Sequence, residues 1–195
     1  MNLFYILLIA LVLIALWVIG IYNFFASAKA RIKAAIQEIG NQLKRQADLI
    51  PNLESSVKGY LKHEKGIFDE LSSARKLVAV ASKSGNLAKM ADAGKAFSEI
   101  LPKLQVVVED NPELKGNEVV TNLMDELRDT SDKVMYARRL LIDLTADFNV
   151  KRVAFPSSLI ANMFGFAEMK GLETPESGSH LEVSESETKS PKVNL

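Results

Sequence analysis

One apolar stretch near the N-terminus constrains this chain more than any other feature. Leu3 to Tyr22 contains no charged side chain. As a helix rising about 1.5 Å per residue it is roughly 30 Å long, the thickness of a bilayer's hydrocarbon core. The stretch therefore predicts a transmembrane anchor over residues 1–25, with Trp17 inside it and Tyr22 near its end. The rest of the chain is then expected to be a domain held at a membrane surface.

A cleaved signal peptide is the alternative interpretation of this stretch. Signal peptides carry a basic segment before an apolar core of about 7–15 residues. Here no Lys or Arg precedes the run, and the run is longer, which favours an uncleaved single-pass anchor. Ala26-Ser27-Ala28 nevertheless has the composition of a cleavage site. The chain has no Cys, so a lipid anchor attached to cysteine is excluded.

The first basic residues of the chain lie just after the anchor. These are Lys29, Arg31 and Lys33, and no charged side chain precedes them. Cytoplasmic flanks of membrane spans carry an excess of Lys and Arg. The pattern predicts a protein of the inner, cytoplasmic membrane with its N-terminus outside and its body in the cytoplasm.

Composition limits the remaining classes of function. The 24 basic and 24 acidic residues balance, so no overall positive field attracts nucleic acid, and nucleic acid is not expected as a partner. Residues 168–195 are predicted to be a disordered tail, because from Leu172 onward the chain is rich in Glu and Ser and has no aromatic residue. The tail is either a solvated extension, the favoured interpretation, or a segment that binds a partner.

Residues 26–167 are predicted to form an all-α domain. The first cytoplasmic helix continues from the anchor, because a one-sided apolar stripe follows it at helical spacing. We expect this helix to end near Pro51, whose fixed φ suits the first turn of a second helix. The stripe consists of Ile32, Ile36, Ile39, Leu43 and Ile50.

Three further helices complete the predicted bundle. The second ends at Ser84-Gly85-Asn86, and the third begins near Leu87, with a kink or interruption at Pro102. The fourth spans about 35 residues, or about 50 Å, and ends near Phe155-Pro156. Since the loops are short, neighbouring helices should be antiparallel, in a long up-and-down bundle. The apolar residues 159–166 could then cap the bundle end or contact the membrane.

Catalytic chemistry is not visible in the sequence. His63-Glu64 resembles the start of a zinc-protease motif, but no second His follows at the required spacing. Asp125, Asp129 and Asp132 share one helix face and could bind a divalent cation with help from a second helix. The favoured interpretation is a solvated face paired with nearby basic residues. We expect no cofactor, no metal, no catalytic residue and no small-molecule substrate.

Charged residues on the predicted helices favour a structural role instead. Arg45 and Asp48 lie just before Pro51, and Arg138 lies in the middle of the fourth helix. An Arg that pairs with a carboxylate on a neighbouring helix fixes the register of the two helices. This cross-linking role is the expected one for these residues.

Several segments, in order along residues 3–170, resemble the bacterial LemA family. No single segment is specific, but their order is. They are Tyr22-Asn23, the Arg45 to Leu53 segment RQADLIPNL, Val57-Lys58-Gly59-Tyr60, His63-Glu64, Ala74-Arg75, the turn from Asn111 to Lys115, Ala137-Arg138-Arg139, Phe148-Asn149, Phe155-Pro156 and Phe164-Gly165-Phe166.

The resemblance implies an antiparallel helical bundle on a single membrane span, with no established family-wide enzyme activity. It makes Arg45, Asp48, Pro51, Tyr60, Arg138, Asn149, Phe155 and Pro156 structural or interaction residues. The chain departs from the family pattern where Leu140-Leu141 replaces Tyr-Asn and Phe148 replaces Tyr. Buried Tyr and Asn need polar partners, so these apolar replacements favour packing over a polar site.

Three functions are consistent with the sequence. The first is a membrane-anchored, non-enzymatic scaffold, whose bundle binds an unknown protein or a second copy at the cytoplasmic face of the bilayer. The second is direct remodelling of the bilayer or biogenesis of internal membranes, as the resemblance implies for magnetosome-associated relatives. The third and most remote is a metal-dependent enzyme.

Overall fold

The structure, a computed structural model, describes residues 3–60 and 65–172, and side chains in the second range from Gly66 onward. Every regular element in these ranges is a helix, which confirms the all-α prediction. The predicted tail beyond Leu172 and the His63-Glu64 pair lie outside the described residues. The six helices are α1 (Leu3–Val57), α2 (Lys65–Ser84), α3 (Leu87–Asp110), α4 (Pro112–Lys115), α5 (Glu118–Val153) and α6 (Ser157–Met163).

The long helix α1 contains both the predicted anchor and the first helix of the bundle. Its N-terminal part is long and apolar enough to cross a membrane, and it is almost wholly exposed. Burial begins with Ile21 and Phe25 and then recurs every three or four residues as far as Val57. This spacing places one face of the helix against its neighbours. The anchor and the bundle are therefore joined by unbroken helix.

The predicted helix end at Pro51 is wrong. The helix continues through Pro51 to Val57, and the turn lies at residues 58–60. Proline removes one backbone hydrogen bond from a helix interior. Here the residues on either side, Ile50 and Leu53, are fully buried, and their packing outweighs that loss. The turn coincides instead with Gly59, which has low helix propensity.

The boundary between α2 and α3 and the end of α5 lie close to where the sequence predicts them, and the short helix α4 is an addition. Asn86, Asn111 and Asn117 cap α3, α4 and α5, each accepting a hydrogen bond from a backbone N–H of the first turn. Such caps satisfy donors that the helix itself cannot pair. Pro102 lies within α3 and does not interrupt it.

The four long helices form an antiparallel arrangement in which α1 packs against α5 and α2 against α3. Contacts at both ends of the first pair fix its direction, since Arg45 pairs with Glu126 and Phe25 packs on Phe148. Helices α3 and α5 meet at the end linked by α4. Because α5 has 36 residues and α3 has 24, α5 extends about 18 Å further toward the anchor.

This difference in length divides the bundle into two halves. In the distal half, all four long helices pack together. The anchor-proximal half consists of α1 residues 21–35, α5 residues 141–153, α6 and the C-terminal segment, residues 164–172. Met169 and Leu172 of that segment pack against the core. The packed domain thus extends through Leu172, whereas the sequence predicts disorder from residue 168.

Candidate functional site

An aromatic cluster joins the anchor to the anchor-proximal half. Phe25 of α1 lies 4.8 Å from Phe166 and 5.2 Å from Phe148, measured between ring centroids. Tyr22 lies 5.0 Å from Phe164 and 5.7 Å from Phe166. Edge-to-face and offset aromatic pairs at these distances stabilise beyond the area they bury. Three distant parts of the sequence therefore meet beside the last turn of the apolar stretch.

Asn149 holds the C-terminal segment in place. Its side-chain amide donates to the carbonyl of Met169 at 2.9 Å, and its side-chain oxygen accepts from the Met169 N–H at 3.0 Å. Arg152 Nε donates to the carbonyl of Phe166 at 3.1 Å. These bonds satisfy backbone groups of a segment that has no regular secondary structure of its own. Asn149 is thus a positioning residue for residues 166–169.

The chain reverses direction between α5 and α6, beside the anchor. Phe155 and Pro156 lie in this connection, with both side chains exposed. Leu159 and Met163 of α6 also face outward. We call Val153, Phe155, Leu159 and Met163 the α5–α6 corner. All four of its side chains are apolar and more than half exposed.

A second exposed apolar region lies on the outer face of α5. Met135 is 66% exposed and Tyr136 is 71% exposed, with Leu140 and Ile142 less so. We call these four residues the α5 surface. Tyr136 and Leu140 are four residues apart and share one face of α5, and Met135 and Ile142 are seven apart on an adjacent face. Exposed apolar side chains grouped in this way are a candidate interaction site.

Polar bridges join neighbouring helices in the distal half. Glu54 of α1 is nearly buried and pairs with Arg75 of α2. Lys103 of α3 lies 2.6 Å from Glu70 of α2, and Arg128 of α5 donates to Gln105 of α3 at 2.6 Å. Arg45 closes the ring, with its guanidinium 3.3 Å from Glu126 of α5. Each adjacent pair of long helices therefore carries one bridge.

Asp48, Pro51 and Tyr60 are the other sequence-predicted residues of the distal half, and their environments differ. Asp48 and Pro51 lie on α1, with Asp48 exposed. Tyr60 lies in the turn after α1, where the Glu113 carboxylate accepts a hydrogen bond from its hydroxyl and raises the pKa of that phenol.

Arg138 lines a groove between α3 and α5 with Gly94 and Asp132. Within the described ranges Arg138 makes no ion pair, so the expected cross-link is seen for Arg45 and not for Arg138. A Cβ on Gly94 would lie 3.1 Å from Val134 and 4.0 Å from the Arg138 guanidinium. The small residue therefore permits a close approach of α3 to α5 at this point.

Two of the three carboxylates considered for a cation are paired. Asp129 accepts from Lys133 at 2.7 Å, and Asp125 lies 3.4 Å from Arg128. Across residues 3–60 and 65–172, no group of three or more His, Cys, Asp and Glu side chains is arranged to hold a metal ion. These pairs agree with the favoured interpretation of a solvated, charge-paired helix face.

The structure thus separates the sequence-predicted residues into two groups. Tyr22, Asn149, Phe155 and Pro156 come together at the anchor, with Leu3 and Trp17 on the exposed span. Arg45, Asp48, Pro51 and Tyr60 lie in the distal half. Sequence reasoning missed Phe25, Glu54 and Arg152, whose roles depend on partners far along the chain.

Two comparisons with known proteins bear on this arrangement. The model of the LemA family matches residues 35–193. A search of curated proteins finds no match.

Proposed function

The chain belongs to the LemA family, and from this premise we propose that it is a membrane-anchored, non-enzymatic scaffold that binds a protein partner or a second copy at the cytoplasmic face of the bilayer. One observation carries the proposal: α5 exposes large apolar side chains, above all Met135 and Tyr136, near the middle of its length. The unbroken helix α1 would hold that surface at a fixed height above the membrane.

The chemistry of the α5 surface suits a protein contact. Aromatic residues and Met are enriched in the buried centres of protein interfaces. Tyr136 and Met135 would supply apolar contact area, and the charged residues Arg139 and Asp143, which lie between them on the helix surface, would supply polar contacts. The α5 surface is small, so it would form the middle of a larger interface.

The orientation of the protein is also part of the proposal. Lys29, Arg31 and Lys33 follow the span, and the fold returns Lys151 and Arg152 of α5 to the same end. Five basic residues would therefore face the headgroups of one leaflet. This concentration supports a cytoplasmic bundle.

In-membrane photocrosslinking of the full-length chain tests the scaffold proposal. A photoreactive residue would replace Tyr136, and crosslinked products would be identified by mass spectrometry. The matched control is the same residue at Val80, which is 55% exposed on α2. We expect a protein crosslink from position 136 that is absent from position 80.

The nature of the crosslinked product refines or refutes the proposal. A single foreign protein would make the chain an adaptor, and self-crosslinks would make it a homo-oligomer. Equal background labelling at both positions would overturn a scaffold that uses the α5 surface. The variant Tyr136→Ser should abolish the contact without unfolding the bundle, because the side chain is mostly exposed.

Direct action on the bilayer is the second candidate function. It is favoured by the α5–α6 corner, whose exposed apolar side chains lie beside the predicted span rather than at the far end of the bundle.

A further inference from the structure

Buried side chains and hydrogen bonds hold the α5–α6 corner against the bundle. On the inner side of α6, Ser157, Ile160 and Ala161 are buried against the bundle. The Ser157 hydroxyl lies 2.7 Å from the carbonyl of Lys151 and 3.0 Å from that of Ala154. Phe155 is nevertheless 82% exposed. The fold therefore presents the apolar side chains of the corner outward, because Ser157, Ile160 and Ala161 occupy the inner face of α6.

The corner lies beside the C-terminal end of the apolar stretch. Phe164, directly after α6, packs on Tyr22, and Ile21 is buried while Val18 is partly buried. On the N-terminal side of Val18, every described residue of the stretch is exposed. The bundle thus begins within the last turn and a half of the predicted span.

The length of the exposed part of the span is short for a bilayer. Residues 3–17 are exposed on all sides and are about 22 Å long as a helix, against a hydrocarbon core of about 30 Å. Filling the core requires residues 18–22, and Phe164, the residue that follows Met163 of the corner, packs on Tyr22. Leaving the corner in water would require the bilayer to thin around the span, which costs free energy.

The charges around the corner match a lipid interface. Between Phe148 and Ala167 the chain carries two basic residues, Lys151 and Arg152, and no acidic residue. The Lys151 ammonium lies 5.7 Å from the Phe24 ring centroid. Apolar and aromatic side chains edged by Lys and Arg are typical of segments that lie at the boundary of headgroups and acyl chains. A surface that binds a protein would not need to lie at the level of the membrane span.

We propose that the α5–α6 corner is a lipid-binding surface that inserts at the headgroup–acyl boundary, beside the transmembrane helix and in the same leaflet as the basic residues. This inference rests on the proposed membrane anchoring and deepens the second candidate function. It gives Phe155 and Pro156 specific roles. Pro156 lies where the chain reverses direction between α5 and α6, and Phe155 enters the acyl region of the bilayer.

Site-directed spin labelling of the full chain tests this inference. The natural sequence has no Cys, so each single-cysteine variant carries one label. Labels would be placed at Phe155→Cys and Leu159→Cys, with Leu11→Cys as the reference for the span and Val119→Cys for water. The protein would be reconstituted in phosphatidylethanolamine–phosphatidylglycerol vesicles, and the label's accessibility to oxygen and to a water-soluble nickel complex would be measured.

Three outcomes are distinguishable. The inference predicts that labels at Phe155 and Leu159 gain oxygen accessibility and lose nickel accessibility relative to Val119, at a shallower depth than Leu11. Water-like values at both corner positions, with Leu11 in the bilayer, would overturn the corner and leave the anchor intact. Water-like values at Leu11 as well would overturn the anchoring on which both proposals depend.

A fluorescence experiment checks the result without a bulky label. Trp17 is the only tryptophan, so Trp17→Phe combined with Phe155→Trp places a single indole at the corner. We expect its emission to shift to the blue in vesicles and to be quenched by lipids brominated near the headgroup. The control combines Trp17→Phe with Val119→Trp and should show neither effect, whereas equal behaviour of the two indoles would contradict the inference.

Discussion

The two halves of the bundle are held together by different interactions. In the distal half, a polar bridge joins each pair of neighbouring long helices, from Glu54–Arg75 to Arg45–Glu126. In the anchor-proximal half, aromatic rings replace these bridges, and Phe25, Phe148 and Phe166 fill the contact. Charge pairs therefore set the register of the helices in the distal half, and ring packing sets it beside the apolar stretch.

The same contrast appears along the buried face of α1. Its distal part includes the polar residues Gln46 and Glu54, whereas its anchor-proximal part contains apolar residues only. Burying a polar group costs free energy unless it is paired, and it also disfavours alternative registers. The four-helix half therefore combines packing with charge pairs between helices, whereas the anchor-proximal half combines ring packing with the hydrogen bonds of Asn149 and Arg152 to the C-terminal segment.

The largest expected effect comes from removing the central ring of the aromatic cluster. Phe25→Ala would leave a cavity at a fully buried position and lower the free energy of unfolding by about 4 kcal/mol. Thermal unfolding in mild detergent, followed by circular dichroism, measures the loss. Hydrogen exchange in residues 164–172 should rise as well, because Phe166 loses its partner.

The distal counterpart of this change is Leu127→Ala. Leu127 is also fully buried, so we expect a loss of about 3 kcal/mol. Exchange in residues 164–172 should not change, because Leu127 belongs to the distal half. If both variants loosened the C-terminal segment equally, the division into two halves would be wrong.

A smaller effect is expected from breaking the least exposed polar bridge. Arg75→Met leaves the Glu54 carboxylate, whose side chain is 10% exposed, without its partner and should cost roughly 2 kcal/mol. The double variant Glu54→Leu with Arg75→Met should recover most of the loss, since no charge is then stranded. Denaturant unfolding of both variants gives the comparison.

An exposed ion pair provides the control for that experiment. Lys95 and Glu99 of α3 lie 3.9 Å apart on the surface, and Lys95→Met should cost less than about 0.5 kcal/mol. If Lys95→Met and Arg75→Met lowered the free energy of unfolding equally, the burial of Glu54 would add nothing to the cost of removing its partner.

Removing the two hydrogen bonds between Asn149 and Met169 should destabilise the C-terminal segment locally. Asn149→Ala removes both hydrogen bonds to Met169 and should lower stability by about 1–2 kcal/mol. Exchange of the Met169 amide and proteolysis near it should increase, while the distal helices keep their protection. Unchanged exchange at Met169 would show that aromatic packing alone holds the segment.

One change should instead raise the stability of the protein. Gly66 lies in α2, and a Cβ there would meet nothing within 4 Å. Gly66→Ala should therefore stabilise the protein by about 0.5–1 kcal/mol, because alanine loses less backbone freedom in a helix. At Gly94, where a Cβ would lie 3.1 Å from Val134, the same change should gain less or cost stability. Comparing the melting temperatures of Gly66→Ala and Gly94→Ala distinguishes a position that has space for a Cβ from one that does not.

Local signals in the sequence predict much of this fold. The uncharged stretch predicts the candidate span, and Ser84-Gly85-Asn86 predicts the boundary between α2 and α3. The prediction fails at Pro51, because the packing of Ile50 and Leu53 outweighs a local helix-breaking preference. Propensity is a weak guide wherever tertiary burial opposes it.

The candidate site is less predictable, because its parts are distant in sequence. Nothing local to Asn149 indicates that it pairs with Met169, twenty residues away, or that Phe166 returns to Phe25. The spacing of apolar residues identifies which face of a helix is buried but not which residue it meets. The order of motifs in the family resemblance marks Asn149 and Phe166, although it gives no geometry for either.

Because α1 is unbroken, a tilt of its N-terminal part would move its far end sideways. From Tyr22 to Val57 it is about 50 Å long, so a tilt of roughly 20° from the membrane normal, common for single spans, would carry its far end about 18 Å sideways. Small changes in bilayer thickness or in the angle of the span would thus become large displacements of the Tyr60 turn. In the proposed membrane-anchored state, the length and tilt of α1 would set how far from the membrane surface the distal end of the bundle can make contacts.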